Sequence, residues 1–463
     1  MIFSSLKNVL SILFAASLFF ACKPKKEVSS SPAKEWKADI PEPNIYIDPE
    51  EDSYEESENP EIKYEDHIYK DNINTVQLYV KDQPLSYPVL FLRDNKQLQL
   101  HFDDLDSKLH NYSYQLVHCN ANWEPSGLVA QEFLEGFMSG FINDFQYSFN
   151  ALVSYMHYKI EFPNEEIRFK LSGNYIIKVY EDNDPDKLVI TRRFFVVDQR
   201  VKIKSDIHFA TLARHRDFKQ EVDFTLDLSL YPVTDPYLDL KVVLMQNRRW
   251  DNAITDLKPL FVRTPELVYN YEDNNLFDGG NEFRFFDTKD LRYQSMNVDG
   301  IQIIDKKTHV FILPEEPRSF VRYLSQQDIN GLRLIKRDES PDANRAADYM
   351  QTHFTLKRQS PVYNGDVYVF GQLSDWKFQE KFKMKYVEVN NEYVLDVLLK
   401  QGYYNYCYMV LPKGSDKGDM AVIEGTHAET ENEYYFFVYH RKQGEIYDRL
   451  VGFKTKNSNS SFD

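Results

Sequence analysis

Few residues in this chain stand at spacings that do chemistry. There is no Gly-rich phosphate loop, no CxxC pair, no HExxH helix and no GxSxG elbow. Eleven histidines are scattered without metal-ligand spacing, and His208 and His215, seven apart across a loop, read as a neutral surface pair, so no metal is expected. The acidic runs Asp103-Asp104-Leu105-Asp106 and Glu181-Asp182-Asn183-Asp184-Pro185-Asp186 lack the interposed Gly and distal Glu of a calcium loop, and the second reads as a hairpin turn. With no nucleophile set beside a base, the chain is expected to be no enzyme and to need no cofactor.

Two residues do invite a specific chemistry. Cys22 follows the apolar run Val9–Phe20 and the small residue Ala21, the pattern of a bacterial lipoprotein signal peptide, so it is expected to be acylated and to become the mature N-terminus. The run falls short of the roughly 20 apolar residues that span a bilayer. Phe19 stands where such boxes usually carry Leu. Trp376, in the strand-turn Gly365 to Trp376, resembles the ring that stacks on sugars in glycogen-binding modules; the same ring also commonly packs on its own sheet.

The elements that would position such residues are strands. Aromatics make up 15% of the chain, with 32 Tyr and 33 Phe against only 16 Gly, which suits rings packed on pleated surfaces. Residues 22–70 read as an acidic, disordered tether, from Lys23-Pro24-Lys25-Lys26 to the block Asp48–Glu56. Period-2 alternation begins near residue 73, as in Leu98-Gln99-Leu100-His101-Phe102-Asp103 and Tyr112-Ser113-Tyr114-Gln115-Leu116. Ser172-Gly173-Asn174-Tyr175 has the form of a tyrosine corner, with Ile177 where an antibody domain carries its second cysteine.

Further alternation at 222–230 and 238–244, an apolar run from Gly300 to Leu313, and an irregular stretch at 336–350 with one short helix mark a second block. Strands at 366–370, 393–399 and 403–410, the last two read as a pair around Gly402, with 436–439 and 450–453, make a third. The predicted fold is all-β: three serial immunoglobulin-like or early-set sandwiches after a disordered tether. The limits are 1–21 signal peptide, 22–70 tether, 71–198, 199–345 and 346–455 for the sandwiches, and 456–463 a disordered tail. Cys119 and Cys407 are too few for a disulfide framework and read as buried free thiols. The formal charge of -17 argues against nucleic acid as a partner.

Several blocks resemble the plug protein family of the type IX secretion system in Bacteroidota. They are His118-Cys119-Asn120-Ala121-Asn122-Trp123, Tyr147–Asn150, Phe169–Tyr175, Asn247-Arg248-Arg249-Trp250-Asp251 and Asp290–Ser295. Gly365–Trp376, Gln401–Tyr406, Glu424–Thr426 and Thr430–Tyr434 complete the set, in order over most of the folded chain. Cys119, Cys407 and the long acidic tether depart from the pattern.

The resemblance implies a non-catalytic plug that binds the periplasmic side of the outer-membrane translocon barrel and closes its pore between export events. It implies an outer-membrane protein held by its N-terminal lipid. The alternative is a glycan-binding envelope lipoprotein partnering an outer-membrane transporter, with Trp376 as its stacking residue. Lys23-Pro24-Lys25-Lys26 after Cys22 is basic, unlike the acidic residues that resemble a surface-export signal, which favours the periplasmic side. Trp123, Arg248, Arg249 and Trp250 are the candidate partner-binding residues, since Arg and Trp are enriched at interface hot spots.

Overall fold

Leu98, Leu100 and Phe102 alternate as expected and project from the strand Leu98–Asp104 into the core of a first sandwich. The structure, a computed structural model, describes residues 61–460 apart from Ser107 and Asp256; Cys22, the signal peptide and most of the tether lie outside the described residues. One sheet of this sandwich runs in the order Ile73–Val80, Leu98–Asp104, Met156–Phe162, Asp144–Tyr147. The facing sheet runs His67–Ile68, Leu188–Val197, Gly173–Glu181, Tyr112–Cys119, Ser139–Phe141, with Val89–Phe91 added in parallel to Leu188–Val197.

The tyrosine corner is present: Tyr175 Oη donates to the Leu171 carbonyl at 2.8 Å. Ile177 is fully buried, and Cys119 and Cys407 are buried free thiols. Residues 181–186 form the turn between two antiparallel strands, with Asp182 and Asn183 in the left-handed region.

The chain joins the fold before residue 71. His67–Ile68 pairs with Leu188–Val197, and the Arg193 guanidinium takes the Tyr64 carbonyl at 2.8 and 3.0 Å, so the last residues assigned to the tether belong to the first sandwich. A buried guanidinium needs acceptors, and this segment supplies one.

The middle sandwich sets Lys202–Phe209, Lys219–Asp227, Glu266–Tyr269 and Phe261–Arg263, with Leu276–Asp278 alongside, against Leu240–Gln246, Glu433–His440 and Arg449–Asn457. The third sets Val298–Ile304, Lys307–Ile312, Tyr349–Lys357, Glu392–Lys400 and Lys385–Val387 against Arg284–Asp287, Gly402–Pro412 and Arg333–Ile335, with Gly365–Phe370 alongside.

The fold class is all-β and the sandwiches number three, but the second and third are not serial. The third is nested inside the second, whose last two strands are the C-terminal ones, so limits at 199–345 and 346–455 do not follow the pairing. The physical reason lies in Leu240–Gln246. Val242 and Leu244 point into the middle core while Val243 and Met245 pack outward against the first sandwich. Its ladder partner is Glu433–His440, the central strand of this three-stranded sheet, and a single bridge from Leu244 to Ile254 lies on its other side. The last strand also runs to Asn457, past the expected end.

Gly402 corrects a second expectation. Glu392–Lys400 and Gly402–Pro412 do not pair; they lie in opposite sheets of one sandwich. Only Gln401 separates them, too little for a hairpin turn, and the chain instead crosses between sheets. A side chain at 402 would sit 2.3 Å from the Leu334 carbonyl oxygen, so this corner requires glycine.

Candidate interaction surface

The arginine and tryptophan residues singled out by type come together, but in an interior seam. Trp123, from the turn after Tyr112–Cys119, meets Trp250 edge-to-face at 5.6 Å. The Arg193 guanidinium lies over both rings, 4.2 Å from Trp123 and 5.0 Å from Trp250. Arg248 donates to Tyr435 Oη (2.9 Å) and to the Leu85 carbonyl (2.6 Å), joining the middle and first sandwiches. Arg249 holds Asp251 through two bonds of 3.0 and 2.6 Å, and Asp251 in turn accepts from the Gly418 amide of the third. Trp123, Arg248 and Arg249 are buried.

Trp376 is half-buried, edge-on to Phe283 (6.1 Å) and Phe370 (5.8 Å), with its ring against Gly331. Arg192 reaches the neighbouring Asp375 at 2.9 Å, tying the first sandwich to the third. Where the three bodies meet they leave a cleft of about 930 Å³ that Trp123, Trp250, Trp376, Arg192 and Arg193 help to line.

A second seam is polar. Asp103, on the supposedly wet face of Leu98–Asp104, is covered by the third sandwich. It accepts from Lys400 Nζ, from Tyr349 Oη at 2.7 Å and from His157 Nδ1 at 2.7 Å. Burial opposes its charge, yet Lys400 and His157 hold its carboxyl below the usual aspartate range. His101 stacks between Tyr79 and His157, and burial first, then His157 and Lys159, push its imidazole down to about 3. Burial also raises the Cys119 thiol to about 12, which leaves it a poor nucleophile at neutral pH.

The feature that no residue-type rule found is a ribbon at the edge of the first sandwich. Leu134–Gly136 pairs with Ile167–Phe169, Ser139–Phe141 with Tyr112–Cys119, and Asp144–Tyr147 with Met156–Phe162, so the segment passes from one sheet edge to the other. Ile142 pins it to the core. At Gly140 any side chain would strike the Tyr114 ring at 2.7 Å, which keeps the ribbon close against the sheet.

Its far end is tied to the third sandwich. The Phe149 amide donates to the Arg345 carbonyl (2.9 Å), and Asp348 Oδ1 accepts from the Leu152 and Val153 amides at 3.0 and 3.1 Å. The backbone is thus fixed while the side chains face outward. Phe137, Met138, Phe141, Phe145, Tyr147, Phe149 and Leu152 are exposed, from 38% at Phe145 to 66% at Phe137. Between Phe137 and Leu152 the only charged residue is Asp144. The signal was legible as a charge gap in a chain that is 27% charged, but a charge gap by itself also describes a core strand. Edge strands are usually blunted by charge or covered, and a rigid row of exposed rings is the form a protein-binding edge takes.

The comparisons agree with this architecture. Residues 73–198, which include the ribbon, match the model of the type 9 secretion system plug protein 1st domain. A crystal structure of a hypothetical protein from Parabacteroides merdae ATCC 43184 is similar over 86% of this chain and 100% of its own, at 35% identity and a TM-score of 0.83. No curated protein matches the chain. With its first sandwich matched to the plug domain, the chain belongs to the plug protein family of the type IX secretion system.

Proposed function

We propose that this protein is a non-catalytic stopper that docks on the periplasmic side of the type IX outer-membrane translocon and closes its pore between export events. Family membership supports a role with the type IX secretion machinery. The observation that carries the finer reading is the Phe137–Leu152 ribbon: aromatic, nearly uncharged, fixed at both ends, and part of the matched plug domain. Aromatic anchors on a preorganised backbone lose little entropy on binding, so they suit contact with a barrel wall or rim. Seams of buried rings and ion pairs make the three sandwiches a broad stopper. Acylation of Cys22 would hold it at the outer membrane.

The experiment is a chromosomal deletion complemented with wild type or with Phe141→Glu/Phe149→Glu. Wild type restores exclusion of large antibiotics and co-purifies the translocon barrel; the variant does neither, while cargo secretion continues in both strains. A variant that seals the membrane and retains the barrel as well as wild type overturns the ribbon as the contact. A deletion strain with an intact barrier overturns the plug. Cys22→Ser checks the anchor: the expected outcome is loss from the outer-membrane fraction, because acyl chains contribute about 0.8 kcal/mol per buried CH₂.

A further inference from the structure

The open edge of the middle sandwich carries a cluster of one imidazole and three carboxylates. His208 on Lys202–Phe209 stands directly opposite Glu221 on Lys219–Asp227, and Asp206 stands opposite Asp223. Glu221 and Asp223 are two apart on one strand and share a face. Like charges opposite one another destabilise a sheet, and a buried carboxylate is ordinarily paired or metal-bound. Glu221 is buried, yet among the described residues no lysine or arginine forms an ion pair with it or with Asp223; the one ion-pair contact is His208 to Asp223.

The orientation of each group is already set. His208 Nδ1 donates to the Phe209 carbonyl at 2.9 Å, which leaves Nε2 facing Asp223 Oδ2 at 3.3 Å. The Thr211 amide and hydroxyl donate to the two Glu221 oxygens at 2.7 and 3.2 Å. Asn275 Nδ2 donates to Asp223 Oδ1 at 2.9 Å, and its fully buried Oδ1 has no partner. A histidine locked through Nδ1 and carboxylates steadied by outer donors are what metal ligands have.

The 3.3 Å separation is informative by internal comparison. His157–Asp103 and His110–Asp104 close to 2.7 and 2.6 Å as direct hydrogen bonds. With Zn–N and Zn–O bonds of about 2.0–2.2 Å, two ligands on one tetrahedral ion lie roughly 3.3–3.5 Å apart. At 3.3 Å the His208–Asp223 contact is a long hydrogen bond whose spacing also matches that of two ligands on one such ion. One ligand atom each from His208, Glu221 and Asp223 fall within 4.8 Å of one another.

We propose that His208 Nε2, Glu221 and Asp223 form a three-ligand site for a zinc-class divalent ion. The fourth position, beside half-exposed His208, faces outward for water or a partner's ligand. The ion would staple the hairpin at the sheet's open edge, offsetting the like-charge opposition of Asp206 and Asp223. A mixed nitrogen and carboxylate set selects zinc over magnesium or calcium.

The test titrates chelator-stripped full-length protein with Zn(II) against a chromophoric competitor, with Co(II) as a spectroscopic reporter. The expected result is one ion per chain, an intense tetrahedral Co(II) band, and a thermal midpoint that rises with Zn(II). His208→Ala is expected to weaken binding by about 100-fold or more and to abolish both the band and the shift. Asn275→Ala, which removes an outer donor, is expected to weaken binding about 10-fold. Should His208→Ala fail to fold, Asp223→Asn carries the same test. Absence of stoichiometric binding, or Zn(II) affinity unchanged in both variants, overturns the site.

Discussion

Two aromatic regions of this molecule are built from the same residue types and have opposite fates. In the seam between the first and middle sandwiches, Phe195 and Phe437 pack in a tilted pair at 4.6 Å, and Trp123 and Trp250 share Arg193. In the ribbon, Phe137, Phe141, Tyr147 and Phe149 face outward, with no such partner body among the described residues. The difference is that the seam is interleaved with arginines that tie one sandwich to the next, whereas the ribbon is held by its backbone pairing and by Ile142, and its rings take no part. Ring content therefore does not identify an interface; what identifies it is rings without a matched surface on a backbone that cannot retract them.

The comparison predicts that seam substitutions destabilise and ribbon substitutions do not. The largest effect is expected at the polar seam. Lys400→Met leaves Asp103 buried without its cation, and breaking a buried pair costs about 3–5 kcal/mol. Denaturant unfolding of the purified protein checks it. A cost under about 1 kcal/mol would mean that the first and third sandwiches are not coupled through this pair.

Next in size is Arg193→Gln. It removes the charged bonds to the Tyr64 carbonyl and the contact with both tryptophans, an expected loss of about 2–3 kcal/mol by the same measurement. Protease cutting near residue 64 should accelerate in parallel, because the segment carrying His67 loses its anchor.

Acid should weaken the seam in a defined window. His101 is held neutral by burial, with its folded value at about 3 and its unfolded value near 6.5. The unfolded chain thus binds the extra proton between these limits, so this contribution is complete above about pH 6.5 and is lost as pH falls toward 3. The expected slope from this group is up to about 1.4 kcal/mol per pH unit. His101→Gln should flatten the stability profile between pH 4 and 6, as measured by urea midpoints at a series of pH values.

Much of the local structure was readable from the chain, and the reasons are local. The Ser172–Tyr175 corner, the turn at 181–186 and the alternation at 98–103 depend on residues a few positions apart. The nesting was not readable, because nothing within Leu240–Gln246 says that its neighbour is Glu433–His440. The polar face of Leu98–Asp104 misled for the same reason: Asp103 looks solvated until Tyr349 and Lys400 cover it, and His101 until Tyr79 and His157 stack on it. Arg248 and Trp250 read from their type as partner-binding residues, but type does not say whether a contact is with another chain or another part of this one, and here the contacts lie within the chain. The ribbon needed the converse knowledge, that none of the described residues covers its rings.

The smallest effect on stability is expected in that ribbon, and it is the sharpest test of the comparison. Phe141→Ser/Phe149→Ser removes two exposed rings whose backbones are held by pairing to Tyr112–Cys119 and by the Arg345 carbonyl, neither of which the substitution touches. Surface changes of this kind usually fall within about 0.5 kcal/mol. The variant should therefore unfold at the same denaturant concentration as wild type while binding less of a hydrophobic dye and failing to retain the translocon barrel. The equivalent seam variant, Phe437→Ala, should lose about 3–5 kcal/mol, because a fully buried ring leaves a cavity. If the two variants unfold alike, the ribbon is packed against something and is seam rather than surface. If the ribbon variant is as stable as wild type and still binds the barrel, the rings are exposed for another reason and the contact lies elsewhere on the molecule.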